Sequence, residues 1–345
     1  MACTIGRVLA SQHYSTLVPR GALRPLKSRG LIKVSGKGTL NFLQGLCTQD
    51  ISRVFGAKAE APMEQSAAAA VFLSPKGRVL FDCLMYSGVS LKPDSSEGIV
   101  SDDKGEESLV VDVDEGVLDN VMRLFIRHRV HLPLNIEKLD NLGVYWTPSK
   151  SQNGCDGDTE VPVYEDPRVK DLGLRAILPK SDIDAESTEA LYRRLRIGLV
   201  VPEGPKEMTP DKVLPLNYNL DLTNHIAFNK GCYIGQELTT RASKKLAVRK
   251  RLFGMRIDGD VDVESGAEIM CDGEKIGKVL ELSSSEGDGD VLGIAQIHAP
   301  KGMQMNTKQA MVEATKKYLE DDHIYIEKDS TKIGVELNLP KYILS

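Results

Sequence analysis

The chain has 345 residues, 41% of them hydrophobic and 27% charged, with a formal net charge of −5. That length holds two or three domains, and the composition is that of a soluble, core-forming protein. No apolar run reaches the ~20 residues that span a bilayer, and the acidic balance argues against a general nucleic-acid binder. The six cysteines, at 3, 47, 83, 155, 232 and 271, are never closer than 36 residues. This excludes a C-x-x-C motif or a zinc knuckle and reads as a reducing compartment.

Charge is uneven along the chain. The first 49 residues hold no Asp or Glu and seven basic residues, which leaves 37 basic against 49 acidic, a net of −12, for the remainder. Residues 1–30 are Arg-bearing, acid-free and rich in hydroxyls, the composition of an organelle transit peptide. The mature chain is expected to start near Leu31, where L-I-K-V-S alternates like a strand. Gly36 and Gly38 then precede a helical pattern carrying Leu40, Leu43 and Cys47 on one face. Thr48 and Asp50 follow, as turn-forming residues or as part of a site.

Residues 67–73 and 78–86 are β-prone runs joined by S-P-K-G, a hairpin signal. Asp82 lies in the second run, either as the outward residue of an alternating strand or as a functional acid. Residues 87–108 read as an acidic loop and 109–113 as a strand. Asp114 caps a helix whose stripe is Val117, Leu118, Val121, Met122 and Phe125. Residues 129–134 read as a further strand, flanked by His128 and His131, which lack metal-pair spacing. After a strand over 141–146 comes a Pro/Ser/Gly/Asp linker, 147–162, in which Cys155 is expected to be exposed. A strand over 174–178 precedes a helix with Ser181 and Asp184 as start signals and Gly198 as its stop. Arg193, Arg194 and Arg196 on that helix face solvent or meet an anionic substrate tail.

The densest chemistry lies in Asn229–Arg241, N-K-G-C-Y-I-G-Q-E-L-T-T-R. Gly231 and Gly235 bracket Cys232, which suggests a thiol on a tight turn. If the approach is extended, Lys230 and Cys232 share a face, and a nearby ammonium lowers a thiol's pKa. Gln236 and Glu237 can read a flat heterocycle by its N–H and carbonyl edge. Arg241, Lys244, Lys245, Arg249, Lys250 and Arg251 form a basic block beyond. From Lys250 onward the pattern is all-β, with strands at 251–257, 267–271, 275–282 and 291–297. Cys271 is expected to be structural.

K-G-C-Y-I-G-Q-E, with N-L-D at 219–221 and F-L-Q-G-L-C-T-Q-D at 42–50, resembles the YgfZ-like folate-binding family, related in fold to the T-protein of the glycine cleavage system. The resemblance covers most of 31–300. It implies an α+β, aminomethyltransferase-like fold: a folate-binding core over 31–245, made of two intertwined α+β subdomains with a split-βαβ-like part at 58–140, and a C-terminal β domain over 250–345. It implies a mitochondrial-matrix protein, or alternatively a plastid-stroma one, that helps mature [4Fe–4S] proteins. It further implies tetrahydrofolate held by Asn219, Asp221, Lys230, Gly231, Tyr233, Gly235, Gln236, Glu237 and Arg241. Cys232 would be the working thiol and a transient ligand of a [4Fe–4S] or [2Fe–2S] cluster, completed by an A-type iron–sulfur carrier. A cluster takes four thiolates, and no other Cys is near Cys232 in sequence. The alternatives are a folate-dependent one-carbon transferase using Asp82, where the T-protein's acidic pair is reduced to one acid by Phe81, and a non-catalytic scaffold.

Overall fold

The computed structural model describes residues 17–55, 66–87, 89, 107–148, 160–180, 186–244, 246–259, 261–283, 289–319 and 323–344. In chain order the elements are β1 (Leu17–Pro19), β2 (Arg24–Leu26), β3 (Arg29–Ser35), α1 (Thr39–Leu46), α2 (Ile51–Phe55), β4 (Ala67–Leu73), β5 (Val79–Tyr86), β6 (Ser108–Asp114) and α3 (Leu118–Arg129). There follow β7 (Asn135–Lys138), β8 (Leu142–Thr147), β9 (Glu160–Pro162), β10 (Tyr164–Glu165), β11 (Leu174–Pro179), α4 (Glu186–Gly198), α5 (Gly204–Glu207) and α6 (Gln236–Lys244). The last third holds β12 (Lys250–Ile257), β13 (Glu268–Cys271), β14 (Glu274–Leu282), β15 (Val291–His298), α7 (Lys308–Leu319), β16 (Ile324–Lys328), β17 (Thr331–Gly334), β18 (Glu336–Asn338) and α8 (Lys341–Leu344).

A five-stranded antiparallel sheet, β4-β5-β6-β3-β7, carries α1, α2 and α3 on one face. The hairpin of β4 and β5 pairs Phe72 with Phe81, whose rings stack at 4.7 Å. Val117, Leu118, Val121 and Phe125 point into this layer, at the three-to-four-residue spacing of an amphipathic helix. Each such side chain, fully buried, contributes ~1.5–3 kcal/mol. Asp114 caps the turn before α3 by accepting from the Gly116 N–H.

The second layer is a four-stranded sheet, β10-β11-β8-β2, under α4. The third is a seven-stranded sheet, β17-β16-β13-β14-β15-β12-β18, bent by bulges at Ile269/Met270 and Val279/Glu281. The fold is α+β. The tail from 306 onward belongs to this third layer: β16 and β17 extend one edge, β18 pairs with β12, and α7 buries Met311, Ala314 and Tyr318. At the end of the chain, the Tyr342 hydroxyl donates to the Val200 carbonyl at 3.0 Å and accepts from the Asn219 amide at 3.1 Å.

Two expectations need correction. Residues 17–30 are built into the fold: β1 pairs with β9, β2 with β8, and Arg29 opens β3 with its side chain buried. Only 1–16 of the acid-free leader lie outside the described residues. Residues 129–134 form no strand. α3 runs to Arg129 and the chain then turns sharply, with Val130 at φ 49, 70% exposed, and Leu132 exposed. The pairing partner of β3 is the next segment, Asn135–Lys138. Residues 88 and 90–106 of the acidic loop, Ser181, Asp184 and Cys155 lie outside the described residues.

Candidate functional site

The 228–235 stretch forms no strand, with a turn and bend at 228–230 and a turn at 234–235 around an irregular 231–233, and Lys230 and Cys232 differ in exposure. Cys232 is exposed. Lys230 is turned inward and half-buried, and its ammonium donates to the carbonyls of Gln44, Cys47 and Gln49 at 2.8, 2.7 and 2.8 Å. The Gln44 and Cys47 carbonyls lie at the C-terminal end of α1 and that of Gln49 in the link to α2; helix-end carbonyls lack intrahelical partners and attract a cation. A lysine has three donors, and all three are used. The thiol beside the ammonium is Cys47, at 4.0 Å. Burial pushes Cys47 up to about 11 despite that cation. Lys230 therefore anchors the signature loop to α1 and is not the activator of Cys232.

Tyr233 is buried among Val71, Leu73 and Val79, and its ring lies 5.1 Å from the Lys230 ammonium. Gly235 sits at φ 79, where a Cβ would come within 2.5 Å of the Ser74 carbonyl oxygen. Its counterpart in the β4–β5 turn is Gly77, at φ 68, where a Cβ would lie 2.8 Å from that of Leu238. The signature loop is thus pressed onto the S-P-K-G turn through two glycines. Gly231 has no such constraint: nothing lies within 4 Å of a Cβ there, and its φ is not positive. Cys232 stands on the outer side of a loop fixed at Lys230, Tyr233 and Gly235. Replacing Lys230 with methionine is expected to cost about 2–3 kcal/mol, with poor rescue by arginine, whose planar fork does not fit three converging carbonyls. Denaturant unfolding measures both.

The other residues expected around a ligand make contacts within the fold. The Asn219 amide brackets Leu252, accepting from its N–H at 3.2 Å and donating to its carbonyl at 2.9 Å. Asp221 makes a two-pronged ion pair with buried Arg251, at 2.5 and 2.9 Å. Gln236 is half-buried at the start of α6, its side-chain oxygen 3.4 Å from the Tyr233 N–H. Glu237 pairs with Arg241 on the exposed face of α6. On α4, Arg196 is buried against Glu207, while Arg193 meets Glu281 and Arg194 reaches Ser283 and the Asp290 carbonyl. Those arginines tie α4 to its neighbours and the 281–290 stretch. Thr48 is structural: its hydroxyl donates to the His225 carbonyl and accepts from the Val71 N–H.

Asp82 belongs to a buried ion network that no local pattern announced. Arg175, from β11, meets Asp112 at 3.1 Å and Asp166 at 3.0 Å. Arg168 meets Asp166 at 2.7 Å and Glu203 at 2.6 Å. Arg29 meets Asp112 at 2.6 Å, and the Tyr192 hydroxyl donates to Glu203 at 2.6 Å. Burial raises the Asp166 carboxyl, but Arg168 and then Arg175 outweigh it and hold it at about 2. Asp82 is pushed up instead, by burial against only partial relief from Arg29, and it accepts the Gly204 N–H at 3.0 Å. The available signal was charge inside β-runs: Asp82 in F-D-C, Asp112 in V-V-D-V and Arg175 in L-R-A-I-L.

Two buried atoms around this network lack partners among the described residues, Arg29 Nη1 and His225 Nε2. Arg29 Nη1 lies 3.8 Å from Glu203, beyond hydrogen-bond reach. The Thr223 hydroxyl donates to the Asn219 carbonyl, so it accepts from His225 Nδ1. Burial and Arg168 push His225 down to about 3, so the ring is neutral and Nε2 is a bare acceptor. Buried polar groups ordinarily have partners, and these two have none among the described residues.

No protein-family model matches the chain. It is similar to a Dictyostelium discoideum protein named mitochondrial iron–sulfur cluster assembly factor IBA57 homolog, 29% identical over 92% of this chain and 83% of that one. A Pyricularia oryzae homolog of the same name is 33% identical over 66% of this chain and 55% of its own length. The Homo sapiens factor is 27% identical over 81% of each. The chain spans little more than half the length of several fungal relatives. Among solved structures, the aminomethyltransferase T of the glycine cleavage system from Bartonella henselae matches with a TM-score of 0.55 at 12% identity, over 93% of this chain and 85% of that one.

Proposed function

We infer that this chain, a homologue of the mitochondrial iron–sulfur cluster assembly factors on an aminomethyltransferase-like fold, works in the mitochondrion to mature [4Fe–4S] proteins through Cys232. The observation that carries this reading is the exposed thiol on a loop fixed on both sides. Cys47, Cys83 and Cys271 are buried. Among the described residues no group of three or more His, Cys, Asp or Glu side chains is arranged to hold a metal ion. The cluster is cargo: Cys232 supplies one thiolate and an A-type iron–sulfur carrier supplies the others.

Tetrahydrofolate is the ligand proposed for the interior beside Asp82. Its pterin edge carries N–H donors and carbonyl and ring-nitrogen acceptors, which match the open His225 Nε2 and Arg29 Nη1. Of the residues named for it from sequence, Asn219, Asp221 and Lys230 make contacts within the fold, and no chemical step is routed through it. The one-carbon transferase reading lacks a second acid, because Phe81 is a buried core residue stacked on Phe72.

Anaerobic reconstitution tests the central reading. The protein mixed with an A-type carrier, iron and sulfide is expected to give visible absorption that co-elutes with the complex, and Cys232→Ser should abolish it. Equal absorption from the variant would remove the reading.

A further inference from the structure

The basic block beyond the signature is only partly absorbed by the fold. Arg251 is buried on Asp221 and Arg241 is paired with Glu237. The chain leaving α6 is laid along residues 298–306: the Val248 N–H donates to Asn306 at 2.9 Å, the Asn306 amide donates to the Leu246 carbonyl at 2.8 Å, and the Ala299 N–H donates to the Arg249 carbonyl at 2.7 Å. Lys250 then opposes His298 across β12 and β15, and Lys278 on β14 opposes Gln296. Lys244, Arg249, Lys250 and Lys278 therefore line one margin, with Leu246 exposed within it.

Their charge is uncompensated. None of the four makes an ion pair with a described residue, while nearby Lys275 is neutralised by Glu268. His298 registers the crowding: partial burial, then Lys250, Lys275 and Lys278, push it below its ordinary value. The chain beyond residue 49 is 12 charges acidic, yet here it gathers open cations around an exposed leucine.

We propose that the margin formed by Lys244, Leu246, Arg249, Lys250 and Lys278 is a docking surface for an acidic protein segment with an apolar side chain at its centre. The partner's identity as a cluster carrier rests on the function proposed above; the chemistry of the surface does not. The nine residues of α6 span ~13 Å at ~1.5 Å each, so the margin begins about one helix length from the signature. An interface of ~800 Å² per partner, on the order of 30 Å across, covers both the margin and Cys232. Nucleic acid fits less well. The margin has no aromatic platform for stacking bases, it is mostly lysine, which lacks the fork that grips phosphate bidentately, and the acidic body repels a dense polyanion.

The test uses the full chain and a fluorescent peptide of glutamates around a central leucine, read by anisotropy. K250E/K278E is expected to weaken binding about 10-fold or more, and salt should weaken it in the native protein. K308E/K316E, the same charge change on exposed positions of α7, should leave affinity within about 2-fold. Equal losses in both variants would reduce the effect to net charge and overturn the proposal. So would a duplex oligonucleotide that binds at least as tightly and is lost with K250E/K278E. If the reversal variant unfolds, K250Q/K278Q is read in its place. Cys232→Ser should bind the peptide normally, so failure of the cluster chemistry and failure of the docking surface give different results.

Discussion

Replacing Arg175 with methionine is expected to destabilise the protein by about 3–5 kcal/mol, the usual cost of removing one partner from a buried ion network. Domains have only ~5–15 kcal/mol in hand. Arg175 is fully buried and bridges Asp112, Asp166 and Glu203, which come from three separate parts of the chain. Its loss strands carboxylates that cannot reach water. Asp82→Asn should cost no more than about 1 kcal/mol. Burial already favours the neutral form of Asp82, and asparagine keeps an acceptor for the Gly204 N–H. Urea unfolding measures both, and an Arg175→Met midpoint equal to that of the native protein would contradict the account. The same network sets the acid limit. Asp166 is depressed in the fold, so its contribution is complete above its ordinary value of 3.8 and is lost as pH falls through about 2.

Gly235→Val should unseat the signature loop. The position needs φ 79, which costs a β-branched residue ~1–2 kcal/mol. The new Cβ would also lie 2.5 Å from the Ser74 carbonyl oxygen and 2.8 Å from Leu73. Relief requires the loop to leave the β4–β5 turn, at about 3 kcal/mol in all. Faster amide exchange over 230–238 and loss of cluster-dependent activity are the expected readouts. Gly231→Ala, with open space around it, should change neither. Native exchange in Gly235→Val would show that the loop is held by something else.

Much of this site can be read from the residues before any coordinates. The hairpin turn between β4 and β5, the alternation of the strands and the stripe on α3 all act locally, within a few residues. Lys230 is legible as a cation but not in its direction, because the 229–235 segment does not run as the extended strand that would put it beside Cys232. Its partners, in and just after α1, lie more than 180 residues away. Gly231 carries a residue type associated with unusual backbone but sits in ordinary space. Residues 129–134 alternate like a strand, yet α3 continues through Arg129 and Val130 takes a positive φ. The ion network was the least legible part. Arg29, Asp112, Asp166, Arg175 and Glu203 meet only after the five-stranded and four-stranded sheets and the segment before α5 come together, and in sequence each is one charged residue among many.

The central claim is that an exposed thiol, and not the buried framework around it, performs the work. Its most direct test is Cys232→Ser in cells lacking the native protein, scoring aconitase activity and lipoylation of mitochondrial enzymes beside protein abundance and melting temperature. The account predicts that both activities fall to the level of the empty strain while abundance and melting temperature stay native. Full activity from the serine variant would contradict it.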